Sequence, residues 1–435
     1  MKKYHREDAE RGLPPTRGEG NYREHMSLII QKFGGTSVGS ISRIQQVADK
    51  IIQLKNQGHQ IVVVSSAMNG ETDRLIQMSL SICDSPDIRE HDMLLNTGEQ
   101  ATVSLIAMAL IAKGCPACSY TGQQTGIKTD SIHKKARILE ISTDLLRSAL
   151  AANIVPVIAG FQGVDTHGNL TTLGRGGSDT TAVALAAVLR ADECQIYTDV
   201  DGIYTADPRI VPLARRLSRI TFEEMLEMAS LGAKVLQTRS VEFAGRYHVP
   251  VRVLSTFTEG PGTLITFEDK NMEQPLLSGI ALDRNQAKLT LLGIPESPKV
   301  ASYIMSAISR HHIDVDMIVQ NVPTADKTVD FSFTVQRDDY KNASLIMTQV
   351  MQELGARDLI GDTKVAKISL VGVGMRSYAG VATTMFETLG NEGIRIQLIS
   401  TSEIKISVLV DEKYLELGIR SLHTAFGLDA DPRSE

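Results

Sequence analysis

The chain has 435 residues, a length that predicts two or three domains rather than one. Its hydrophobic fraction of 42% and charged fraction of 22% are typical of a water-soluble globular protein, and no apolar run approaches the roughly 18 residues of a membrane span. The formal net charge is -6 and no Lys/Arg run or aromatic–basic stripe is present, so nucleic acid and membranes are not expected partners.

The first 26 residues are polar, carry mixed charge and contain Pro14-Pro15. They lack the apolar core and the small-residue cleavage site of a secretory signal. We therefore expect residues 1–26 to be a disordered or non-native leader.

Cysteine usage predicts a reducing compartment, and with it a cytoplasmic protein. Cys115 and Cys118 have the spacing of a redox pair, but no second pair is present to complete a zinc site. We interpret their spacing as a coincidence. The other two cysteines are Cys83 and Cys194.

Short apolar strands alternate with helical patterns from residue 27 to about residue 265. The first strand, Leu28–Phe33, ends in glycines and is followed by apolar residues at helical spacing from Ile41 to Leu54. Further strands are predicted at Ile61–Val64, Ile154–Ala159 and Gln195–Thr198, and further helices at Gln100–Ala112 and Thr180–Leu189. This alternation predicts an α/β domain with a mainly parallel central sheet.

The C-terminal part repeats itself after a predicted linker at 266–282. Ala287–Ile294 resembles Ala366–Val373, and each copy is followed by an apolar helix pattern, two strands and a second helix pattern. The strands are predicted at Ile313–Ile318 and Val329–Val335 in one copy, and at Ile394–Ile399 and Ile404–Val410 in the other. The repeat predicts two ferredoxin-like βαββαβ units, at 283–360 and 361–435, which can be separate or interleaved.

The first chemical motif is the run from Lys32 to Gly39. Glycines between a strand and a helix let backbone N–H groups approach a phosphate, and Lys32 directs its ammonium into the same space. The order of residues fits neither a dinucleotide fingerprint nor a P-loop, where the lysine follows the glycines. A tight turn with a solvated lysine is the alternative.

The second motif is the run from Thr172 to Thr181, in which Gly176 and Gly177 open a helix. Arg175 offers a fork for a carboxylate, and Asp179 is an acceptor for an ammonium. The alternative is a capped helix with an incidental surface arginine.

The third motif, from Thr198 to Arg209, contains an Asp201-Gly202 turn but lacks the acidic spacing of a calcium loop. Polar residues at the carboxyl end of a parallel strand mark the ligand edge of an open α/β sheet. Lys234 adds a second cation beyond a helix pattern, although a solvated lysine is the common alternative.

Together these stretches resemble the aspartate kinase family, within the amino-acid kinase fold. The motifs that carry the resemblance over residues 27–430 are KFGGTSV, SSAMNGETD, NTGEQ, GFQG, TTLGRGGSDTTA, TDVDGIYTADPR and ASLGAKVLQTRS. The two repeated units resemble ACT domains.

The resemblance implies ATP-dependent phosphorylation of the β-carboxylate of L-aspartate, with Mg²⁺ carried by ATP and no protein metal site. It implies that Lys32 and Asp179 are catalytic. The implied aspartate-binding residues are Ser66, Thr72, Glu99, Phe161, Arg175, Gly176, Ser178 and Asp179. The implied nucleotide-binding residues are Lys32, Phe33, Gly34, Gly35, Thr198, Asp199, Tyr204, Arg209, Lys234 and Val235.

The resemblance further implies the first step of lysine, threonine, methionine and diaminopimelate biosynthesis, with feedback by lysine, threonine or both at ACT domains that pair into a homodimer or larger assembly. The implied effector residues are Glu296, Asp316, Gln320, Asn321, Met375, Ser377, Thr401, Ser402 and Glu403. One departure stands out, because Lys299 occupies a position where the family usually has glycine. It adds a side chain and a charge at the first effector site.

Two alternatives remain at this level. One is a kinase of the same fold that acts on glutamate, acetylglutamate or a nucleotide. The other is a non-catalytic amino-acid sensor that kept the fold.

Overall fold

A computed structural model describes residues 27–231, 235–268, 276–378 and 380–430, and leaves out the side chain of Ser377. The predicted leader and the middle of the predicted linker, residues 269–275, lie outside the described residues. So do Lys234 and Ala379. Within the described ranges the strands form three sheets, of eight, six and four strands.

The eight-stranded sheet is mainly parallel, as predicted, and its strand order is β10-β12-β11-β9-β1-β2-β6-β3. The pairing of β11 with β12 is antiparallel, and the other neighbours run parallel. Its strands are β1 (Leu28–Phe33), β2 (Gln60–Ser65), β3 (Ala117–Tyr120), β6 (Val155–Ala159), β9 (Glu193–Thr198), β10 (Arg219–Thr221), β11 (Val251–Ser255) and β12 (Thr263–Thr266).

Helices cover both faces of this sheet, because its central strands are apolar on both sides. Ile29 of β1 packs towards α1 and α3, whereas the next residue, Ile30, packs towards α5 and α7. Such double burial explains the continuous apolar runs seen in the sequence. The helices are α1 (Ile41–Asn56), α2 (Glu71–Ile82), α3 (Ile88–Ala112), α4 (Asp144–Ala151), α5 (Gly177–Leu189), α6 (Phe222–Ser230) and α7 (Thr238–Arg246).

The predicted helix at Gln100–Ala112 is longer than expected, since α3 begins at Ile88 behind an Asp87 cap. The prediction missed its N-terminal half because Asp92, Asn96 and Glu99 interrupt the apolar pattern on the buried face there. Of the described helices, α3 is also the one long and apolar enough to cross a membrane by length and composition alone. Core helices pass the same test, and half of its most apolar window is buried inside the protein.

A small four-stranded sheet, in the order β5-β4-β7-β8, lies beside α3. Its strands are β4 (Ile127–Thr129), β5 (Ile138–Ile141), β7 (Gln162–Val164) and β8 (Leu170–Thr172). The chain leaves β8 directly into the glycine-rich turn that precedes α5, so this sheet fixes one end of the second motif.

The C-terminal six-stranded sheet has the order β14-β15-β13-β16-β18-β17. Its strands are β13 (Gly279–Pro295), β14 (Val315–Gln320), β15 (Thr328–Gln336), β16 (Asp358–Val371), β17 (Leu398–Thr401) and β18 (Lys405–Asp411). Its helices are α8 (Val300–Ser309), α9 (Tyr340–Leu354), α10 (Val381–Asn391) and α11 (Leu415–Ala425).

The two repeats share their longest strands. The second half of β13 pairs with the first half of β16, at Lys288–Leu292 and Asp358–Asp362, and the first half of β13 pairs with the second half of β16. The proposed boundary between residues 360 and 361 thus falls inside β16, and the domain limits remain predictions. The strand predicted at Ile394–Ile399 was largely wrong, because Ile394 is buried in a loop and β17 begins at Leu398.

The C-terminal sheet docks on the kinase part through α6 and the loop before it. Glu224 of α6 accepts hydrogen bonds from Ser278 Oγ (2.7 Å) and the Val373 amide (2.9 Å). Ala206, Ile210 and Val211 belong to the hydrophobic core of the C-terminal unit. The third sequence motif is therefore anchored at its end in the C-terminal unit.

Candidate active site

The carboxyl ends of the central parallel strands and the start of α5 surround a cavity of about 260 Å³. The eight residues predicted to hold aspartate all line it, together with Lys32. Its described lining is Lys32, Ser66, Thr72, Glu99, Phe161, Gly174, Arg175, Gly176, Gly177, Ser178, Asp179 and Gln237. This is the sheet edge at which open α/β folds bind ligands.

One wall of the cavity holds a close ion pair. Lys32, the fifth residue of β1, places its Nζ 2.6 Å from Asp179 Oδ1, in the first turn of α5. Both side chains are about nine-tenths buried. Asp179 therefore fixes the lysine ammonium at the cavity wall instead of leaving it solvated.

Glu99 contributes a buried carboxyl group from α3. Its Oε1 accepts a hydrogen bond from the Ala67 amide (3.1 Å), whereas its Oε2 has no partner among the described residues. Burial raises the pKa of Glu99 to about 7. A cationic ligand group in the cavity would complete its hydrogen bonding and favour its ionised form.

The turn before α5 depends on glycine. Gly174 and Gly176 have φ angles of +80° and +70°, in the left-handed region that other residues disfavour. A Cβ on Gly176 would lie 2.1 Å from Gln237 Cγ, so the turn also has no room for a side chain at this position. Arg175 lies between them, exposed at the cavity, and its guanidinium makes no hydrogen bond or ion pair within the described ranges.

Phe161 lines the cavity with a φ of +68°, which is unusual for a bulky residue. Its amide donates to Thr181 Oγ1 (3.2 Å) and its carbonyl accepts from the Leu173 amide (2.8 Å). Strained backbone held in this way is commonly found at functional sites.

The nucleotide candidates lie along the neighbouring edge, and of those described only Lys32 lines the cavity. The Gly34 amide already donates to the Tyr197 carbonyl (3.2 Å). The Gly35 and Thr36 amides make no hydrogen bond with the described residues, so they are the donors left for an anion.

The remaining nucleotide candidates are engaged with their own loop. Thr198 Oγ1 donates to Asp199, and the Tyr204 hydroxyl donates to Asp201 Oδ1 (2.8 Å). Arg209 is exposed and pairs with Asp207, while Val235 is half-buried. Lys234 lies outside the described residues.

The effector candidates fall into two groups. In the first, Asp316 pairs with Lys367 of the other repeat, and no hydrogen bond or ion pair among the described residues joins it to the exposed Glu296. Gln320 and Asn321 are exposed at the end of β14. Lys299 is exposed immediately before α8.

In the second group the structure brings two segments together. Arg376, between Met375 and Ser377, pairs with Glu403 at 3.5 Å and with Glu223 of α6 at 2.5 Å. Thr401 and Ser402 are exposed in the same segment as Glu403, and the side chain of Ser377 is not described. Arg376 therefore joins the segments of the second group to the kinase part.

The sequence prediction missed Gln237, whose side chain packs against Gly176 and lines the cavity. It lies inside the ASLGAKVLQTRS motif, yet nothing in its residue type indicates a role. Its contribution is a close approach between two segments about 60 residues apart, which the sequence pattern does not reveal.

Comparison with known proteins agrees with the fold. The amino acid kinase family model matches residues 27–255, and an ACT domain model matches residues 368–426. The fold and the cavity thus define an amino acid kinase with a C-terminal ACT domain.

Individual relatives narrow this class. Aspartate kinase of Pseudomonas putida is 63% identical over 94% of this chain and 99% of its own length. Crystal structures of E. coli aspartokinase III, one with aspartate and ADP and one with lysine and aspartate, are 27% identical and cover 92% of this chain and 99% of theirs. Their TM-scores are 0.74 and 0.72. The chain belongs to the aspartate kinase family, whose members are phosphotransferases with a carboxyl group as acceptor.

Proposed function

We propose that this chain transfers the γ-phosphoryl group of ATP to the β-carboxylate of L-aspartate, giving 4-phospho-L-aspartate. One observation carries the proposal. Among the described residues, the cavity combines a lysine held at one wall, an arginine without an ion pair at its opening, and a buried carboxyl oxygen without a hydrogen bond inside. An amino acid with a second carboxylate needs this combination of charges.

The reaction needs no general base, because a β-carboxylate with an ordinary pKa near ~4 is ionised at pH 7. The difficulty lies in bringing two anions together and stabilising the charge on the transferred phosphoryl group. Lys32 supplies the positive charge, and Asp179 holds its ammonium in place. Arg175 binds the α-carboxylate, while Glu99 and Asp179 receive the α-ammonium.

ATP is proposed to bind along the edge formed by β1 and β9, with its phosphates at the free amides of Gly35 and Thr36. Among the described residues no group of three or more His, Cys, Asp or Glu side chains could hold a metal ion. As the family resemblance implies, Mg²⁺ is proposed to arrive with the nucleotide, where it neutralises phosphate charge.

We also propose, from the family resemblance, that the reaction is the first step of lysine, threonine, methionine and diaminopimelate biosynthesis and is regulated by feedback. We propose feedback by lysine, threonine or both at the ACT units, and the E. coli enzyme solved with lysine supports lysine as an effector. The contact between Arg376 and Glu223 supports transmission from the second effector group to the kinase part. A homodimer or larger assembly through ACT domains is proposed from the family resemblance, and cysteine usage supports a cytoplasmic location.

The test is an acyl-phosphate assay with hydroxylamine trapping, run with ATP and Mg²⁺ against aspartate, glutamate and N-acetylglutamate, with ADP release followed for UMP. Acyl phosphate from aspartate is the expected result, with inhibition when lysine, threonine or both are added. Acyl phosphate from glutamate alone would contradict the proposal.

A further inference from the structure

A buried carboxylate outside the cavity, on α3, accepts hydrogen bonds from four donors in distant parts of the chain. Asp92 of α3 is fully buried and lines no part of the cavity. It accepts hydrogen bonds from the Thr172 amide (3.1 Å) and hydroxyl (2.7 Å), from His133 Nδ1 (2.8 Å) and from the Lys134 amide (3.1 Å). All four donors lie about 40 to 80 residues away in the chain.

These donors belong to the two segments that shape the Arg175 turn. Thr172 ends β8, three residues before Arg175. The Lys134 carbonyl lies 2.8 Å from where a Cβ on Gly174 would be, so this loop presses against the turn. Arg239 holds the intervening Leu173 carbonyl at 2.7 Å. The backbone that leads to Arg175 is therefore held in place, whereas the Arg175 side chain makes no hydrogen bond or ion pair among the described residues.

Asp92 also shares a helix with Glu99. The two residues are seven positions apart, which places them on the same face of α3, two turns from each other. A rigid helix thus connects the carboxylate that holds the Arg175 turn to the carboxyl group that faces the cavity.

We propose that Asp92 is a positioning residue for substrate selection, which sets the separation between Arg175 and Glu99 by fastening β8 to α3. The inference rests on the proposed function, in which those two groups bind the α-carboxylate and α-ammonium of aspartate. A carboxylate suits this task, since an ionised acceptor can take four donors at once and charge-assisted bonds are about twice as strong as neutral ones.

The first variant is Asp92→Asn, which keeps the shape of the side chain but turns one acceptor into a donor that faces other donors. We expect the KM for aspartate to rise by about 10- to 100-fold, because small displacements of binding groups have effects of this size. The KM for ATP should stay within about twofold. The preference for aspartate over glutamate should fall, since a loosened separation tolerates one more methylene.

A milder variant covers the case in which Asp92→Asn folds poorly. Thr172→Val removes only the hydroxyl donor. It should raise the KM for aspartate by about threefold, because one hydrogen bond contributes a modest free energy and the other donors to Asp92 remain. In the double variant the two effects should not add, because both substitutions loosen the same contact.

Asp165→Asn is the matched control. Asp165 is also buried and accepts from the His167 and Asn169 amides (2.9 Å each), but it lies at the opposite end of β8 from Arg175. We expect it to lower the unfolding temperature without changing the KM for aspartate.

The outcomes separate this inference from the proposed function. Wild-type protein that forms no aspartyl hydroxamate would overturn the function itself. Active wild type combined with an unchanged KM for aspartate and unchanged selectivity in both Asp92→Asn and Thr172→Val would overturn the role of Asp92. If Asp165→Asn raised the KM for aspartate as much as Asp92→Asn does, the effect of Asp92→Asn would be a general effect of lost stability.

Discussion

Lys32 is the residue on which the proposed chemistry depends most. Its ammonium is buried between the cavity proposed for aspartate and the edge proposed for ATP, so removing it leaves the repulsion between the two anionic reactants uncompensated. Lys32→Ala should lower kcat by at least about 10²- to 10³-fold, as the loss of one charge-stabilising donor does elsewhere, with a smaller change in the KM for aspartate. Lys128→Ala, at an exposed pair with Glu140, is the control. Steady-state kinetics of both variants decide, and near-normal turnover in Lys32→Ala would refute the assignment.

Glu99 makes the binding of aspartate depend on pH. Its pKa of about 7 in the ligand-free protein means that its ionised fraction rises as the pH increases through neutrality. Since only the ionised form attracts an ammonium, the KM for aspartate should fall by about tenfold between pH 6 and pH 8. Glu99→Gln should show a high KM that does not respond to pH over this range. A wild-type KM that stays flat from pH 6 to pH 8 would show that Glu99 does not receive the ammonium.

The raised pKa of Glu99 also has a consequence for stability. The folded, ligand-free protein holds this proton at pH values where the unfolded chain, with an ordinary pKa of 4.5, has released it. The contribution of Glu99 to stability is therefore present below pH 4.5 and is lost as the pH rises through about 7.

At the scale of elements, the turn before α5 can require glycine for two reasons: its left-handed backbone conformation, or the lack of space for a side chain. Gly176 and Gly168 both have positive φ angles, but a Cβ on Gly176 would overlap Gln237 while a Cβ on Gly168 meets nothing within 4 Å. Gly168→Ala should cost about 1–2 kcal/mol of unfolding free energy, from backbone strain alone. Gly176→Ala should cost about 1–3 kcal/mol more and should also lower activity, because overlap displaces Arg175. Urea unfolding with activity assays would measure both, and equal costs would show that the space is unimportant.

The same elements show what the sequence could predict. Strands such as β1 and β2 were predictable because burial on both faces leaves a continuous apolar run. The turn around Gly176 was predictable because left-handed backbone selects glycine. The N-terminal half of α3 was missed because Asp92, Asn96 and Glu99 interrupt the apolar pattern on its buried face. The contact between Gln237 and Gly176 was also missed, because close approach between distant segments has no local signal.

At the scale of the whole molecule, the kinase and C-terminal parts are joined through a small number of buried contacts. Ala206, Ile210 and Val211 flank the nucleotide candidate Arg209 and are buried in the C-terminal core. The Thr205 carbonyl accepts from the Ile280 amide (2.7 Å), and its hydroxyl bonds to His423 (2.9 Å). The loop proposed for ATP is therefore held at one end by the part of the chain proposed to bind effectors.

Glu224 is a buried polar contact across this junction. Its Oε2 accepts from Thr221 in the capping box of α6, and its Oε1 accepts from Ser278 and Val373 across the junction. Because the group is buried with every acceptor used, Glu224→Gln should lower the unfolding free energy by about 1–3 kcal/mol. It should also weaken inhibition by lysine or threonine while leaving uninhibited kcat/KM nearly unchanged.

The neighbouring residue provides the control for that prediction. Glu223 bonds Arg376 across the same junction, but its side chain is 60% exposed, and such surface pairs contribute at most about 1 kcal/mol. Glu223→Gln should therefore leave the unfolding temperature almost unchanged. Thermal unfolding of the two variants, measured side by side, makes the comparison, and inhibition curves of Glu224→Gln test the coupling. Equal losses of stability in both variants would show that the buried Glu224 holds the two parts together no better than the exposed Glu223–Arg376 pair does.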